Sequence, residues 1–162
     1  MAETIRLPRW LKPANKIIIL LNRLGLPIGS QHILSIPGRK SGKLYSTPVS
    51  LLTVEGRRYI CTVGTTGWVK NARVSGWGLL ARGRRQERVA LVELPVAEGA
   101  PILREFPRQV PHGVQFFELV LGIPNDPEAF AAAAPRCPVF RIDELSPATE
   151  STGAEPESAR QL

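Results

Sequence analysis

Two β-type runs joined by a tight turn decide the fold class of this chain; they span Tyr45–Gly64 and read YSTPVSLLTVEGRRYICTVG. The first run, Tyr45–Val54, and the second, Arg58–Gly64, are rich in the β-branched and aromatic residues that strands favour. Glu55-Gly56 between them provides the residue types that a hairpin turn prefers. The two runs are therefore predicted to pair as a β-hairpin.

Further strands are predicted on both sides of this hairpin. Ile33–Pro37 precedes it, and Pro138–Ile142 lies near the end of the chain. Trp77–Ala81 and Glu87–Val96 flank the basic tetrapeptide Arg82–Arg85, which predicts a second hairpin with a basic tip. Together these runs indicate a small, mainly antiparallel barrel of about six strands.

Helical patterns occupy the rest of the chain. They are Pro8–Leu24, the short segment Val69–Ser75, and the proline-broken segments Ala100–Phe106, Val114–Leu121 and Pro127–Ala134. Gly25 and Gly76 mark helix ends, and Asp126 is placed to cap the last helix. We therefore expect an α+β fold, a barrel with an N-terminal helix and a helical C-terminal portion.

A chain of 162 residues suggests one domain, which we place at residues 1–145. Residues 146–161 lack every aromatic and branched aliphatic side chain. Such a composition cannot offset the entropy cost of ordering, so residues 146–162 are predicted to form a disordered tail.

The positive charge belongs to the first part of the chain. Residues 1–94 contain 16 Lys and Arg against 4 Asp and Glu, whereas residues 95–162 contain 5 against 10, which together give the net charge of +7. A basic field recruits an anionic partner: a phosphorylated small molecule, an acidic membrane surface or nucleic acid.

Several classes of protein receive little support. Ile17–Leu21 is the longest aliphatic run, and it is far shorter than the roughly 20 residues of a membrane-spanning helix. A cytoplasmic protein is therefore expected. The alternative is peripheral membrane contact through the basic N-terminal segment. The two cysteines and two histidines lie far apart in sequence, and we expect neither a metal site nor a disulfide. No RNA-reading motif accompanies the basic residues, which makes nucleic acid an unlikely partner.

The turn Pro37–Lys43 is suited to an oxyanion. It contains Arg39, Lys40 and Ser41 between two glycines, and Lys43 follows the second glycine. Glycine lets the backbone approach a ligand closely, while the cations and the hydroxyl donate hydrogen bonds to its oxygens. A solvated basic turn is the alternative interpretation.

A second stretch, Gly64–Arg73, reads GTTGWVKNAR. Backbone N–H groups at the start of a helix favour phosphate, Lys70 and Arg73 add charge, and Trp68 offers a flat apolar surface. The alternative is a core tryptophan beside solvated cations.

Together, these two stretches and the Thr47-Pro48 pair resemble the deazaflavin-dependent nitroreductase family, a branch of the split β-barrel flavoproteins. The resemblance runs from about Leu7 to Leu145 and is strongest over Ile33–Leu94. It implies a split β-barrel that binds coenzyme F420, a deazaflavin, without covalent attachment and uses it as a hydride donor.

The resemblance also implies a set of coenzyme-binding residues. The basic turn would hold the phosphate and oligoglutamate tail, and Thr47-Pro48 with the loop Val63–Thr66 would lie beside the ring. The full set is Arg39, Lys40, Ser41, Thr47, Pro48, Val63, Gly64, Thr65, Thr66, Trp68, Lys70, Asn71 and Arg73.

The acceptor site is less defined. The family's His-Pro-x-Trp-Tyr-x-Asn-Leu stretch is matched here only at Trp68 and Asn71, so its tyrosine does not transfer as a proton donor. Tyr45, Phe116, Phe117 and Val120 are the candidate pocket for a flat acceptor such as a quinone, an enone or a nitroaromatic compound, and ordinary core is the alternative for the phenylalanines. Two alternative functions fit the sequence. One is a barrel that binds flavin mononucleotide (FMN), and the other is a non-catalytic basic module that binds a coenzyme, a membrane or nucleic acid. The sequence is compatible with a monomer and with a homodimer.

Overall fold

The computed structural model describes residues 31–145 and, before them, Lys16 alone, which is helical and exposed. The strands are β1 (Gln31–Pro37), β2 (Leu44–Ser50), β3 (Leu52–Val54), β4 (Arg57–Cys61), β5 (Trp77–Arg82), β6 (Arg85–Glu93) and β7 (Val139–Glu144). The helices are α1 (Gly67–Ser75), α2 (Val96–Gln109), α3 (Pro111–Leu121) and α4 (Pro127–Ala132). Apart from Lys16, the predicted N-terminal helix lies outside the described residues, as does the predicted C-terminal tail.

The seven strands form one antiparallel sheet in the order β2-β1-β5-β6-β7-β4-β3. Its two edge strands, β2 and β3, are consecutive in the chain and separated only by Leu51. Opposite edges of a flat sheet of this width cannot be joined by one residue, because neighbouring strands are about 4.8 Å apart. The sheet must therefore curl until its edges meet, which produces the barrel.

Both predicted hairpins are confirmed, with one change to the first. Only Leu52–Val54 pairs with β4, whereas Leu44–Ser50 pairs with β1. The predicted single strand Tyr45–Val54 is therefore wrong: it is interrupted at Leu51, where the chain changes from one partner strand to another. This division also raises the strand number from the predicted six to seven.

Alternating residues of the curled sheet serve two cores. One face of the sheet fills the interior of the barrel, and α1 adds Val69 and Ala72 to the same cluster. The sheet residues are Leu34, Ile36, Val49, Ile60, Leu80, Val89, Leu91, Phe140 and Ile142. The opposite face of β4 carries Tyr59 and Cys61 toward α2, α3 and α4. Phe106, Phe117 and Phe130 form the centre of this helical layer, with ring centroids 4.6–5.3 Å apart.

Three sequence-based boundaries around α2 are wrong. Strand β6 ends at Glu93 and the helix already begins at Val96, after Pro95 at its N-cap. The helix also continues past Pro107 to Gln109, so the predicted end at Phe106 is the third boundary that is wrong. A proline inside a helix costs about 3 kcal/mol, and burial of the apolar side chains on this helix opposes that cost.

The C-terminal end of α2 protects an exposed sheet edge. The side chain of Gln109 accepts a hydrogen bond from the Thr53 backbone N–H (2.9 Å) and donates one to the Thr53 carbonyl (2.8 Å). These bonds satisfy backbone groups that an edge strand would otherwise offer to another chain. Among the described residues, no helix has the length and apolar character needed to cross a membrane.

We predict a fall in stability at alkaline pH that depends on the buried thiols. Burial raises the pKa of Cys137 from 9.0 to about 11, and burial raises the pKa of Cys61 further. Between pH 9 and 11 the unfolded chain loses thiol protons that the folded chain keeps, so the free energy of unfolding decreases. Urea unfolding at pH 8 and pH 10 should show a smaller decrease for Cys137→Ala than for the wild type; equal decreases would contradict the burial of this thiol.

Candidate functional site

The β1–β2 turn is a compact loop whose cations point outward. The Gly38 N–H donates to the Lys43 carbonyl (2.7 Å), and the Gly42 N–H donates to the Gly38 carbonyl (2.9 Å). Gly42 has φ +76°, a left-handed conformation that favours glycine. Because the backbone is held in this way, the exposed side chains of Arg39, Lys40 and Lys43 share one small surface.

Tyr45 packs on this turn. A Cβ atom at Gly38 would lie 2.5 Å from the Cε2 atom of Tyr45, so only glycine fits beneath the ring as it stands. The Ser41 Oγ accepts a hydrogen bond from the Lys43 N–H (3.2 Å) and lies 3.5 Å from the Tyr45 hydroxyl. Tyr45 therefore stabilises the basic turn.

The Gly/Thr loop, residues 62–66, follows β4 and leads into α1. The Thr62 N–H donates to the Pro138 carbonyl (3.0 Å), and its hydroxyl donates to the Gly64 carbonyl (3.0 Å). Thr66 is the N-cap of α1, yet its side chain caps no backbone N–H. Its Oγ1 atom is buried and has no hydrogen-bond partner within the described part of the chain, although a buried hydroxyl normally has one.

The two sequence stretches meet through one side chain. The Asn71 Oδ1 atom, on α1, accepts hydrogen bonds from the Arg39 backbone N–H (3.2 Å) and from the Arg39 Nη1 (2.8 Å). Asn71 is 8% exposed. The turn and the helix are therefore parts of a single surface, separated by about 30 residues in the sequence.

Arg39, Lys40, Lys43 and Lys70 form what we call the basic end. Within residues 31–145, none of these four cations pairs with a carboxylate. Arg73, by contrast, has such a partner: its guanidinium binds both carboxylate oxygens of Glu93, at 2.7 and 2.9 Å, which raises the pKa of Arg73. The charge of Arg73 is thus balanced, while the basic end keeps its positive charge.

Thr47 and Pro48 lie on opposite faces of β2. Thr47 pairs with Leu34, whose side chain is buried in the barrel interior, and paired residues of an antiparallel sheet share a face. Pro48 pairs with Ile33 on the other face. The two side chains therefore cannot both face one ligand ring, and Thr47 is the one that points toward the interior of the barrel.

The aromatic candidates divide between the two cores. Trp68 packs against the barrel core, with its ring centroid 5.5 Å from that of Phe140. Phe117 is buried in the helical layer, and Phe116 and Val120 pack against the same cluster, as does Val63 of the Gly/Thr loop. The four residues of the predicted acceptor pocket are thus not brought together in the way the sequence suggests, since Tyr45 lies on the basic turn.

Side chains of the types that bind metal ions do not form a cluster in the described part of the chain. Within the described range, no group of three His, Cys, Asp or Glu side chains is arranged to hold a metal ion. His112 lies 3.5 Å from the Ser50 hydroxyl, where β2 ends, away from the basic turn.

Comparison with known proteins supports the fold. None of the protein-family models and none of the curated proteins compared matches the chain. Among solved structures, it is similar to a FAD-binding protein from Mesorhizobium loti, with 13% identity over 81% of this chain and 89% of that one and a TM-score of 0.50. A protein of unknown function from Agrobacterium tumefaciens has 14% identity over 91% of this chain and 64% of that one, with a TM-score of 0.52.

A third structure, described as a domain-swapped dimer, has 14% identity over 83% of this chain and 97% of its own, with a TM-score of 0.53. The curled antiparallel sheet with its helical layer agrees with these structures, and the chain is an α+β split β-barrel. The predicted fold class is confirmed.

Phe117→Ala should act on stability. Removing a buried phenylalanine ring leaves a cavity against Phe106 and Phe130, which costs about 3–5 kcal/mol of unfolding free energy. Leu119→Ala on the same helix is the matched control, since Leu119 is 65% exposed and its removal should cost under about 0.5 kcal/mol. Urea unfolding of both variants measures this; equal stability of the two variants would contradict the packing of Phe117.

Proposed function

We propose that the protein is an oxidoreductase that binds reduced coenzyme F420 without covalent attachment and reduces a flat conjugated acceptor: a quinone, an enone or a nitroaromatic compound. The observation that carries the proposal is the basic end. Its four cations have no carboxylate partner within residues 31–145 and share a surface that hydrogen bonds hold in place. A ligand with a phosphate and an oligoglutamate tail supplies the several negative charges that such a surface attracts.

The neighbouring loop also fits a coenzyme. The buried Thr66 Oγ1 lacks a partner in the described chain, and a ligand oxygen or nitrogen would satisfy it. The left-handed conformation of Gly64, φ +88°, turns the chain sharply just before this threonine. The loop and the basic turn thus offer polar groups to a ligand, and the apolar barrel core lies beneath them.

When bound, the deazaflavin supplies a hydride from its ring carbon. The roles of the chain are binding, orientation and exclusion of water. Lys40 and Lys43 bind the phosphate and the tail, the Thr66 hydroxyl and the loop backbone orient the ring, and the inward-facing Thr47 borders the ring site.

A barrel that binds FMN is the second candidate. It is favoured by the similarity of the fold to that of a FAD-binding protein. FMN has a single phosphate, whereas the basic end offers four cations. We therefore expect the deazaflavin coenzyme to bind more tightly than FMN, and parallel fluorescence titrations of the protein with the two compounds distinguish the candidates.

Removal of two lysines should weaken coenzyme binding. Each charge-assisted contact contributes about 1–3 kcal/mol, so Lys40→Ala combined with Lys43→Ala should raise the Kd of the coenzyme at least tenfold at low salt. The difference from the wild type should shrink as salt increases, because salt screens exposed charges.

Arg84→Ala combined with Arg85→Ala is the matched control. These two exposed cations lie at the β5–β6 turn, which is at the opposite end of the barrel because β5 runs antiparallel to β1. This control should leave the Kd unchanged. Equal losses in both double variants would indicate a general effect of net charge and would argue against a specific site.

The reductase activity is tested by stopped-flow oxidation of the reduced coenzyme with a quinone, an enone and a nitroaromatic compound. We expect at least one acceptor class to oxidise the bound coenzyme faster than the free coenzyme in buffer, because the protein holds the two reactants together. If binding is tight and no acceptor reacts faster, the protein is better described as a carrier of the coenzyme.

A further inference from the structure

Asn71 is largely buried and its side-chain oxygen already has hydrogen-bond donors, unlike a side chain that is free to contact a ligand. It is 8% exposed, and its side-chain oxygen is occupied by two donors from Arg39. One donor is the backbone N–H of the turn and the other is the guanidinium. A single acceptor therefore fixes both the backbone and the side chain of one turn residue.

The surroundings of Asn71 make this contact rigid. Its neighbours on α1, Val69 and Ala72, are buried in the barrel core. The helix ends at Gly76, whose N–H donates to the Ala72 carbonyl (2.8 Å). Asn71 thus projects from a capped helix that packs on the barrel core, whereas the turn it contacts is exposed.

The contact also changes the role of Arg39. Part of its guanidinium is directed at Asn71, while Lys40 and Lys43 on the same turn have no such contact within the described residues. Bringing three cations into one turn is opposed by their mutual repulsion, which increases as they approach. A neutral acceptor that binds one of them helps to hold the turn without removing its charge.

We propose that Asn71 is a positioning residue: it fastens the β1–β2 turn to α1 through Arg39, so that Lys40 and Lys43 are held ready for the anion. This inference rests on the proposed function in naming the coenzyme as the ligand. It assigns Asn71 and the bonded part of Arg39 to the shape of the site, and direct anion binding to the two lysines.

The first test uses the coenzyme-free protein and amide hydrogen exchange. Asn71→Ala removes the acceptor of the Arg39 N–H, and the loss of one such hydrogen bond corresponds to about a five- to tenfold faster exchange of that amide. Asn71→Asp keeps an oxygen acceptor at the same length and should leave the exchange slow. Val74→Ala is the control on the same helix, since Val74 is 68% exposed and faces away from the core.

The second test measures the Kd of the coenzyme by fluorescence in Asn71→Ala, Arg39→Ala and the double variant. We expect about a tenfold weaker Kd for Asn71→Ala. The same change should have a smaller effect when Arg39 is already alanine, because Arg39→Ala has already removed one of the two hydrogen bonds to Asn71. An unchanged Kd in Asn71→Ala would overturn the proposal. So would a weaker Kd without faster Arg39 exchange, which would indicate direct contact between Asn71 and the coenzyme.

The two tests separate the inference from the function on which it rests. If the wild type does not bind the coenzyme, the proposed function fails. The exchange rates of the free protein still decide whether Asn71 holds the turn: faster exchange in Asn71→Ala but not in Asn71→Asp supports the positioning role, and equal rates in all variants exclude it. If Asn71→Ala does not fold, slow Arg39 exchange in Asn71→Asp supports the role and fast exchange contradicts it.

Discussion

The link of one residue between the two edge strands is the constraint on which the architecture depends. Leu51 joins β2 to β3, and these strands lie at opposite edges of a seven-stranded sheet. The sheet has to close for the chain to be continuous there. Closure creates an interior, which the apolar residues on one face fill, and leaves the other face of β4 to pack against the helices.

The same constraint brings the parts of the candidate site together. β2 and β3 run in one direction along the barrel, and the hairpin at Glu55-Gly56 returns the chain along β4. The turn before β2 and the loop after β4 must therefore lie at the same end. The hydrogen bonds from Arg39 to Asn71 join these two regions directly, and within residues 31–145 the exposed cations of the turn have no carboxylate partner.

The sequence predicts the local features of this structure well. Both hairpins, the short helix ended by Gly76 and the cap at Asp126, whose carboxylate accepts from the Ala129 N–H (3.0 Å), follow from residue preferences at single positions. The break at Leu51 could not be predicted, because Leu51 and Leu52 are good strand residues and only the change of partner strand separates them. Pro107 gave a local signal for the end of α2 that tertiary packing overrides.

In the candidate site, too, local residue types could be interpreted from the sequence, whereas their arrangement in space could not. Residue types in the turn and the loop indicate an anion site, but their arrangement depends on contacts distant in sequence. Glu93 balances Arg73 from 20 residues away, and Asn71 binds Arg39 from 32 residues away. The alternation of side chains along β2 also separates Thr47 from Pro48, which a sequence match treats as one unit.

The central claim is that the basic turn and the Gly/Thr loop form one coenzyme site at one end of the barrel. The most direct measurement is a series of two-dimensional amide NMR spectra recorded as the coenzyme is added. The account predicts that the largest shifts fall on the amides of residues 38–43 and 63–67, together with Asn71, and that the β5–β6 turn at residues 82–85 stays unchanged. Shifts concentrated at the β5–β6 turn, or none at saturating coenzyme, would contradict it.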